Sequence, residues 1–379
     1  MMKKDKKNLK ILVVSDPYYP YPSGVSEYTY YLSKYLKKNG NDVTILTTNY
    51  KNQTDEDRVV RFGKVLMIPL NRSYATMAFG TDIYPSVKNF LNKNYFDIIH
   101  LNGPFFPSLS FFALHFSNSI NIAAFLNAGF KFYKSGSSIF KMVYKKYLNK
   151  ISGYLAISQT AKLAMEPYFP GEYEIIPAGV DTDFFTERGE NFNIEGFPKI
   201  LFLGRLDLRK GVLKIIDVFN RFVKIKNEAK LIIAGKGPLE KTAKDLVRRY
   251  GIEKSVIFTG YVKKEDIPKY YRTADIYCSP ALGGESFGIV LLEAMSCGTP
   301  IIASRIHGYS QVIDDKKDGL LFNNEDDSEL LSKLIELTED ENKRAFFRKN
   351  GLIKSKEYSW ENVIIKIEKF YKKIIEQKK

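Results

Sequence analysis

The sequence predicts an α/β protein made of two similar domains, each built on a mostly parallel sheet with helices on both faces. Three observations carry that expectation. The 379 residues exceed what one ordinary core holds, since domains run to about 100–200 residues. Short β-branched runs alternate with segments at helical spacing, the pattern of βαβ units. That alternation breaks once, at 184–198, where Gly189, Asn191, Asn193, Gly196 and Pro198 read as a linker.

In the first half, strands are expected at Ile11–Ser15, Val43–Thr47, Val65–Ile68, Ile98–Leu101, Ile122–Phe125 and Tyr154–Ile157. Ser26–Asn39 carries apolar residues at helical spacing, with Gly40 as its stop. A second series follows the break: Ile200–Gly204, Leu231–Ala234, Val256–Gly260, Ile276–Ser279, Pro300–Ala303 and Gly319–Phe322. The last segment, Trp360–Ile375, is a basic amphipathic helix. Two domains follow, residues 1–180 and 198–360. Open α/β sheets bind ligands beyond the carboxyl ends of their strands, so a cleft between two such domains is the expected site.

Composition narrows the class. Apolar residues make up 44% and charged residues 27%, the balance of a globular chain and not of a disordered one. The two cysteines, Cys278 and Cys297, lie in apolar runs and read as core residues of a reducing compartment, the cytoplasm. The opening MMKKDKKNLK leads straight into a strand and does not read as a signal peptide. No run of 18 apolar residues reads as a membrane span. The net charge is +15, and residues 1–178 hold 22 Lys/Arg against 12 Asp/Glu, so +10 falls in the first half. A nucleic-acid face, an anionic membrane face and a solvated lysine-rich surface all fit that excess. Neither an RNA-recognition signature nor a zinc spacing supports nucleic acid.

Each half has a glycine turn after its first strand. In the first, Ser23-Gly24-Val25 opens the following helix, so its free N–H groups face an anion, although such glycines are also common in plain turns. In the second, GRLDLRKG places Arg205 and Lys210 just past the strand. Arg as a fork and Lys as a point charge suit a diphosphate, and Gly204 and Gly211 let a backbone come close to it. AGKGP, with Gly235, Gly237 and Pro238, is either another ligand turn or simply a tight one.

The strongest signal is SPALGGESFGIVLLEAM. A strand ends in Pro280 and two glycines, Glu285 sits in the loop, a helix starts near Gly288 and Ile289, and Glu293 lies inside it among apolar neighbours. An acid there is costly without a partner, and a ribose diol is a suitable one. The N–H groups at Gly288 and Ile289 then face phosphate, and Glu285 meets the sugar. If wholly helical, eight residues span roughly 12 Å, too far for a hydrolase carboxylate pair acting across one bond. The competing reading is two structural acids that cap or pair.

ESFGIVLLE, GRLDLRKG, AGKGP and the SGV turn together resemble the retaining family 4 glycosyltransferases of GT-B fold. IIPAGVDTDFF, TGYV, CGTPIIAS, DGLLF and the closing YSW extend the likeness over nearly the whole chain. YCSPALGGESFGIVLLEAM, IPLNRSYATMAFG and GPFFPSLS are most similar to the phosphatidylinositol α-mannosyltransferases. The resemblance implies two Rossmann-like domains facing across a cleft, with 361–379 packing back on the first. It implies a donor nucleotide sugar on the second domain, an acceptor on the first, and no metal ion or other cofactor.

Residue by residue, it implies that Arg205 and Lys210 hold the diphosphate and that Gly24 touches it. It puts Tyr261 and Val262 by the base, Glu293 on ribose and Glu285 on the transferred hexose, mannose or glucose. The catalytic set is then Glu285, Arg205 and Lys210; the donor, a GDP- or UDP-sugar, also meets Gly235, Gly288 and Ile289.

The chain departs from that pattern on the acceptor side. Asn102 stands where a second histidine is expected after His100, Leu126 and Asn127 replace a His-Thr pair, Thr76 and Ala78 stand where an arginine is expected, and Ser26 replaces Gln. Tyr18 and Asn71 are kept, so Tyr18, Asn71 and Asn102 are the acceptor candidates. The acceptor is expected to be a lipid or glycan hydroxyl. A soluble sugar acceptor, or nucleotide-sugar binding without catalysis, are the alternatives. The amphipathic run Ser138–Ile151 fits an interfacial helix on the inner face of the cell membrane, and fits an ordinary core-facing helix as well.

Overall fold

A computed structural model describes residues 8–51, 53, 57–70, 73–127 and 144–378, with the backbone only for 67–70 and 73–77. Asn71 and residues 138–143 of the amphipathic run lie outside the described residues. The chain divides into two compact units, Met1–Gly179 with Trp360–Lys379, and Val180–Ser359.

The first unit holds an eight-stranded sheet. Its strands are β1 (Lys10–Val14), β2 (Asp42–Asn49), β3 (Val59–Leu70), β4 (Ser73–Phe79), β5 (Ile98–Asn102), β6 (Ile120–Phe125), β7 (Ile151–Ala156) and β8 (Tyr173–Ile175). The order is β4-β3-β2-β1-β5-β6-β7-β8, parallel except for the β3–β4 hairpin. Central strands read as unbroken apolar runs because helices cover both faces: Ile11, Leu12, Val13 and Val14 of β1 are all buried. Helix α1 (Gly24–Lys38) follows β1, capped by Ser23, whose hydroxyl accepts from the Ser26 N–H. Gly40, at φ +90°, supplies the left-handed residue past its end. Helices α2 (Ile83–Lys93), α3 (Leu109–Phe116) and α4 (Gln159–Met165) follow.

In the second unit the strands are β9 (Lys199–Leu203), β10 (Lys230–Ala234), β11 (Val256–Gly260), β12 (Ile276–Ser279), β13 (Ile301–Ser304) and β14 (Leu320–Phe322). All pair in parallel, in the order β11-β10-β9-β12-β13-β14. In order of appearance this is 3-2-1-4-5-6, the doubly wound dinucleotide-binding arrangement, whose switch point lies between β9 and β12. The helices are α5 (Val212–Phe222), α6 (Glu240–Tyr250), α7 (Ile267–Thr273), α8 (Ile289–Ser296), α9 (Asp327–Glu339) and α10 (Glu341–Glu357). Period-2 pairs, Ile200 with Phe202, Leu231 with Ile233 and Ile276 with Cys278, turn one sheet face into a core closed by Ile215, Phe219, Leu330 and Leu334.

The final helix, α11 (Trp360–Gln377), belongs to the first unit. Trp360 stacks on Tyr31 and Tyr35 of α1, Glu368 accepts from Asn39 and Asn41, and the Tyr371 hydroxyl meets His100 Nδ1 at 2.7 Å.

Three sequence readings change. Strands β4 and β8 were not expected. The stretch 184–198 is tied to the second unit, where the Arg272 guanidinium donates to the carbonyls of Thr186 and Glu190, and Thr273 Oγ1 accepts from the Phe192 N–H. The amphipathic run is helical at 144–148 and then gives way to β7 at Ile151, because pairing with β6 claims the chain there.

Candidate active site

At the β9–β12 switch point two loops meet backbone to backbone. A Cβ on Gly211, which has φ +75° and caps α5, would lie 2.0 Å from the Pro280 carbonyl oxygen. Only glycine allows that approach. The Leu282 N–H donates to the Arg209 carbonyl at 2.6 Å. From the other side, Ser304 Oγ donates to the Ala281 carbonyl at 2.6 Å, and Gly308 lies so close that a Cβ would be 2.2 Å from the Glu285 carbonyl oxygen. The loop carrying Glu285 is therefore gripped along its length.

This packing joins Lys210 to Glu285, Nζ to Oε1 at 2.9 Å, with both side chains largely covered. Burial works against the ammonium charge, but the Glu285 carboxylate outweighs it and raises the Lys210 pKa. Asp207 sets the cation loop: its buried carboxylate accepts the N–H groups of Arg209 and Lys210, and its Oδ2 lies 3.9 Å from Arg205 Nε. Arg205, at 45% side-chain exposure, is the more open of the two cations.

Helix α8 starts at the far end of the same loop. Gly288, at φ +104°, is its N-cap and offers no side-chain acceptor of its own, and Ile289 is the first residue of the helix. Glu293 lies in the second turn of this helix. Because the helix begins only at Ile289, the wholly helical span of eight residues expected from Glu285 does not apply; four residues of rise, roughly 6 Å, separate Ile289 from Glu293. Glu293 has a protein partner, the buried Tyr271 hydroxyl, 3.0 Å from Oε2. Both acids thus pair within the chain, Glu285 with one of the cations expected on a diphosphate.

Gly235 has a packing reason of its own. A Cβ there would lie 1.9 Å from the Gly204 carbonyl oxygen, so the AGKGP turn braces the segment leading to Arg205. Tyr261 and Val262 follow β11, two strands from the switch point, and Tyr261 is 65% exposed.

In the first unit Gly24 opens α1, and no described atom lies within 4 Å of where its Cβ would stand. The chain itself gives this glycine no packing reason. Tyr18 is buried under the Arg61 guanidinium. Asn102 ends β5; its amide donates to Thr29 Oγ1 at 3.0 Å, while its buried Oδ1 has no hydrogen-bond partner among the described residues. His100 is buried, and burial pushes its pKa down to about 4, so it is neutral at physiological pH.

Three important residues escaped the sequence reading. Asp207 was legible as an acid preceding a short helix. Tyr271 and Asp16 gave no signal. The Asp16 carboxylate, at the tip of β1, accepts the N–H groups of Leu109 at 2.8 Å and Ala78 at 3.1 Å; burial raises its pKa to about 7.

Comparison with known proteins fits this geometry. A model described as Glycosyl transferases group 1 matches residues 183–353, and one described as Glycosyltransferase Family 4 matches 22–184. A phosphatidyl-myo-inositol mannosyltransferase of Mycolicibacterium smegmatis is 31% identical over 361 residues, covering 93% of this chain and 91% of its own length. An alpha-monoglucosyldiacylglycerol synthase of Streptococcus pneumoniae is 26% identical, over 84% of this chain and 76% of its own. A glycosyltransferase from Rickettsia africae has the same fold, with a TM-score of 0.77 over 97% of this chain and 99% of its own at 17% identity. The fold is GT-B, two Rossmann-like domains, and the chain is an enzyme of the hexosyl-transferring class. It belongs to glycosyltransferase family 4.

Proposed function

We propose that this enzyme moves a hexose, mannose or glucose, from a GDP- or UDP-sugar to a hydroxyl of a membrane lipid, with retention of configuration. The Lys210–Glu285 pair carries this reading, on the Asp207-held loop that follows Arg205 and ahead of the N-terminus of α8. In the reaction the C1–O bond to the diphosphate breaks and a bond from C1 to the acceptor oxygen forms on the same face. The acceptor's proton goes to the departing phosphate oxygen. Charge develops on that diphosphate, where Lys210, Arg205 and the first N–H groups of α8 meet it without reorganising. Lys210 exchanges part of its bond to Glu285 for the diphosphate, and the freed carboxylate accepts from a hexose hydroxyl. Glu293 takes the ribose diol, and the exposed Tyr261 with Val262 takes the base.

The positive charge comes from the protein, with no metal ion in the reaction. Activity is expected to survive EDTA; a loss that magnesium restores contradicts this. A panel of nucleotide sugars with a lipid extract as acceptor tests the whole reading. Glu285→Gln is expected to keep an appreciable rate, and a trapped covalent hexosyl–enzyme adduct would sink the same-face mechanism.

The lipid acceptor has support within the first unit. A cavity of about 400 Å³ is lined by Tyr84, Phe106, Phe111, Phe112, Tyr144 and Tyr147, and Phe106 is 62% exposed. It begins four residues past Asn102, beside the carboxyl end of β5. Between Asp97 and Glu166 the chain has seven lysines and no carboxylate. An apolar pocket in a lysine-rich stretch of the chain suits an acyl chain below an anionic surface. Among the described residues no helix is long and apolar enough to cross a membrane, so the contact proposed is peripheral.

A further inference from the structure

An acid inside an apolar helix needs a fixed partner, and one for Glu293 comes from another helix. Tyr271, in α7, is wholly buried. Its hydroxyl lies 3.0 Å from Glu293 Oε2 and 3.2 Å from the Val290 carbonyl oxygen, one turn back on α8. The single phenolic proton has two acceptors in reach, and the charged one makes the stronger bond. The ring is fixed as firmly as the hydroxyl. Tyr277 meets it edge-on at 5.2 Å, Phe185 lies 6.2 Å away, and Thr299 Oγ1 donates to the Tyr271 carbonyl at 2.7 Å. Burial raises the phenol's pKa well above its ordinary value, and the Glu293 charge adds to that, so the group stays a donor throughout the physiological range.

A glutamate carboxylate swings about three torsions, and recognition of a vicinal diol needs its plane fixed. Holding Oε2 fixes it, and a carboxylate with about four lone-pair sites still has capacity for diol protons. We infer that Tyr271 is a positioning residue, aiming the Glu293 carboxylate at the ribose diol of the donor nucleotide. This rests on the ribose role proposed for Glu293. It accounts for the rigid aromatic packing behind α8, and for a phenol placed against the acid where a phenylalanine would fill the same space.

The test pairs protein variants with ligand variants. UDP, GDP and their 2′,3′-dideoxy forms are titrated calorimetrically into the full-length parent, Tyr271→Phe and Glu293→Gln. The parent is expected to prefer the ribose form by about tenfold or more, the value of a hydrogen bond to a charged group. Glu293→Gln is expected to erase most of that preference, and Tyr271→Phe to shrink it roughly three- to tenfold. Affinity for the dideoxy form stays the same in all three proteins. In turnover, Tyr271→Phe raises the donor KM and leaves kcat within about twofold, because ribose is remote from the reacting carbon. If Tyr271→Phe weakens both ligand forms equally, or neither, while Glu293→Gln loses the ribose preference, Tyr271 is only a core residue. If Glu293→Gln keeps the parent's preference for the ribose form, the ribose role itself is wrong and the positioning role falls with it.

Discussion

The two units share an architecture but differ at their switch points. Beside β9 and β12, charge is paired and backbones touch: Lys210 lies on Glu285, Gly211 on Pro280, Gly235 on Gly204. Beside β1 and β5, polar atoms are left over. Among the described residues the Tyr28 hydroxyl, His100 Nε2 and Asn102 Oδ1 are buried without a hydrogen-bond partner, and Gly24 faces open space. Arg209 Nε in the second unit is likewise buried without a hydrogen-bond partner among the described residues, so the contrast rests on touching backbones and paired charge. The donor site proposed above is the packed one, and the proposed acceptor site is the looser one.

The largest effect that would break this contrast is at Lys210. Lys210→Ala removes the cation proposed to meet the leaving diphosphate and takes the ion-pair partner from the covered Glu285. Turnover is expected to fall on the order of 10²–10³-fold, measured as initial rate at saturating donor. A loss under tenfold contradicts the assignment.

Two glycines sharpen the contrast in stability. Gly235→Ala places a Cβ against the Gly204 carbonyl at φ +142°, and is expected to cost about 3 kcal/mol in denaturant unfolding. Gly24→Ala meets no atom of the chain and starts a helix, so unfolding stability is expected to hold within about 0.5 kcal/mol while donor turnover drops. If Gly24→Ala keeps full activity, that glycine is only a turn.

His100 gives the first unit a pH signature. Its folded pKa of about 4 lies below the ordinary 6.5, so the unfolded chain binds the proton more tightly. Its contribution is therefore full above pH 6.5 and is lost as pH falls from there towards 4. Between pH 7 and 5 this amounts to about 2 kcal/mol, which the difference between parent and His100→Gln in denaturant melts reads directly. A variant whose pH dependence matches the parent's contradicts it.

The smallest effect concerns the membrane. Phe106→Asp is expected to weaken sedimentation with vesicles of 70% phosphatidylcholine and 30% phosphatidylglycerol about tenfold, leaving hydrolysis of the nucleotide sugar unchanged. Parent protein that fails to bind such vesicles at modest salt removes the membrane contact.

How much was legible follows the same division. Buried parallel strands announced themselves as apolar runs, and the order of glycines, cations and acids marked the loops that meet at the β9–β12 switch point. The edge strand β4 did not, because its pairing with β3 shows no strict alternation in SYATMAF, and the three residues of β8 are too few to show a period. Partners far apart in sequence were also hidden. Lys210 and Glu285 lie 75 residues apart, and they meet only because Gly211 lets the two loops close on each other. Tyr271 sits in an ordinary helical run, and nothing in its neighbours points at Glu293.

The most direct measurement is calorimetric titration of UDP and GDP into the parent protein and into Lys210→Ala. One nucleotide is expected to bind the parent, and to bind the variant at least about tenfold more weakly, the loss of a charge-assisted contact to phosphate. Unchanged affinity in the variant, or no binding of either nucleotide to the parent, would contradict a donor site built on the Lys210–Glu285 pair.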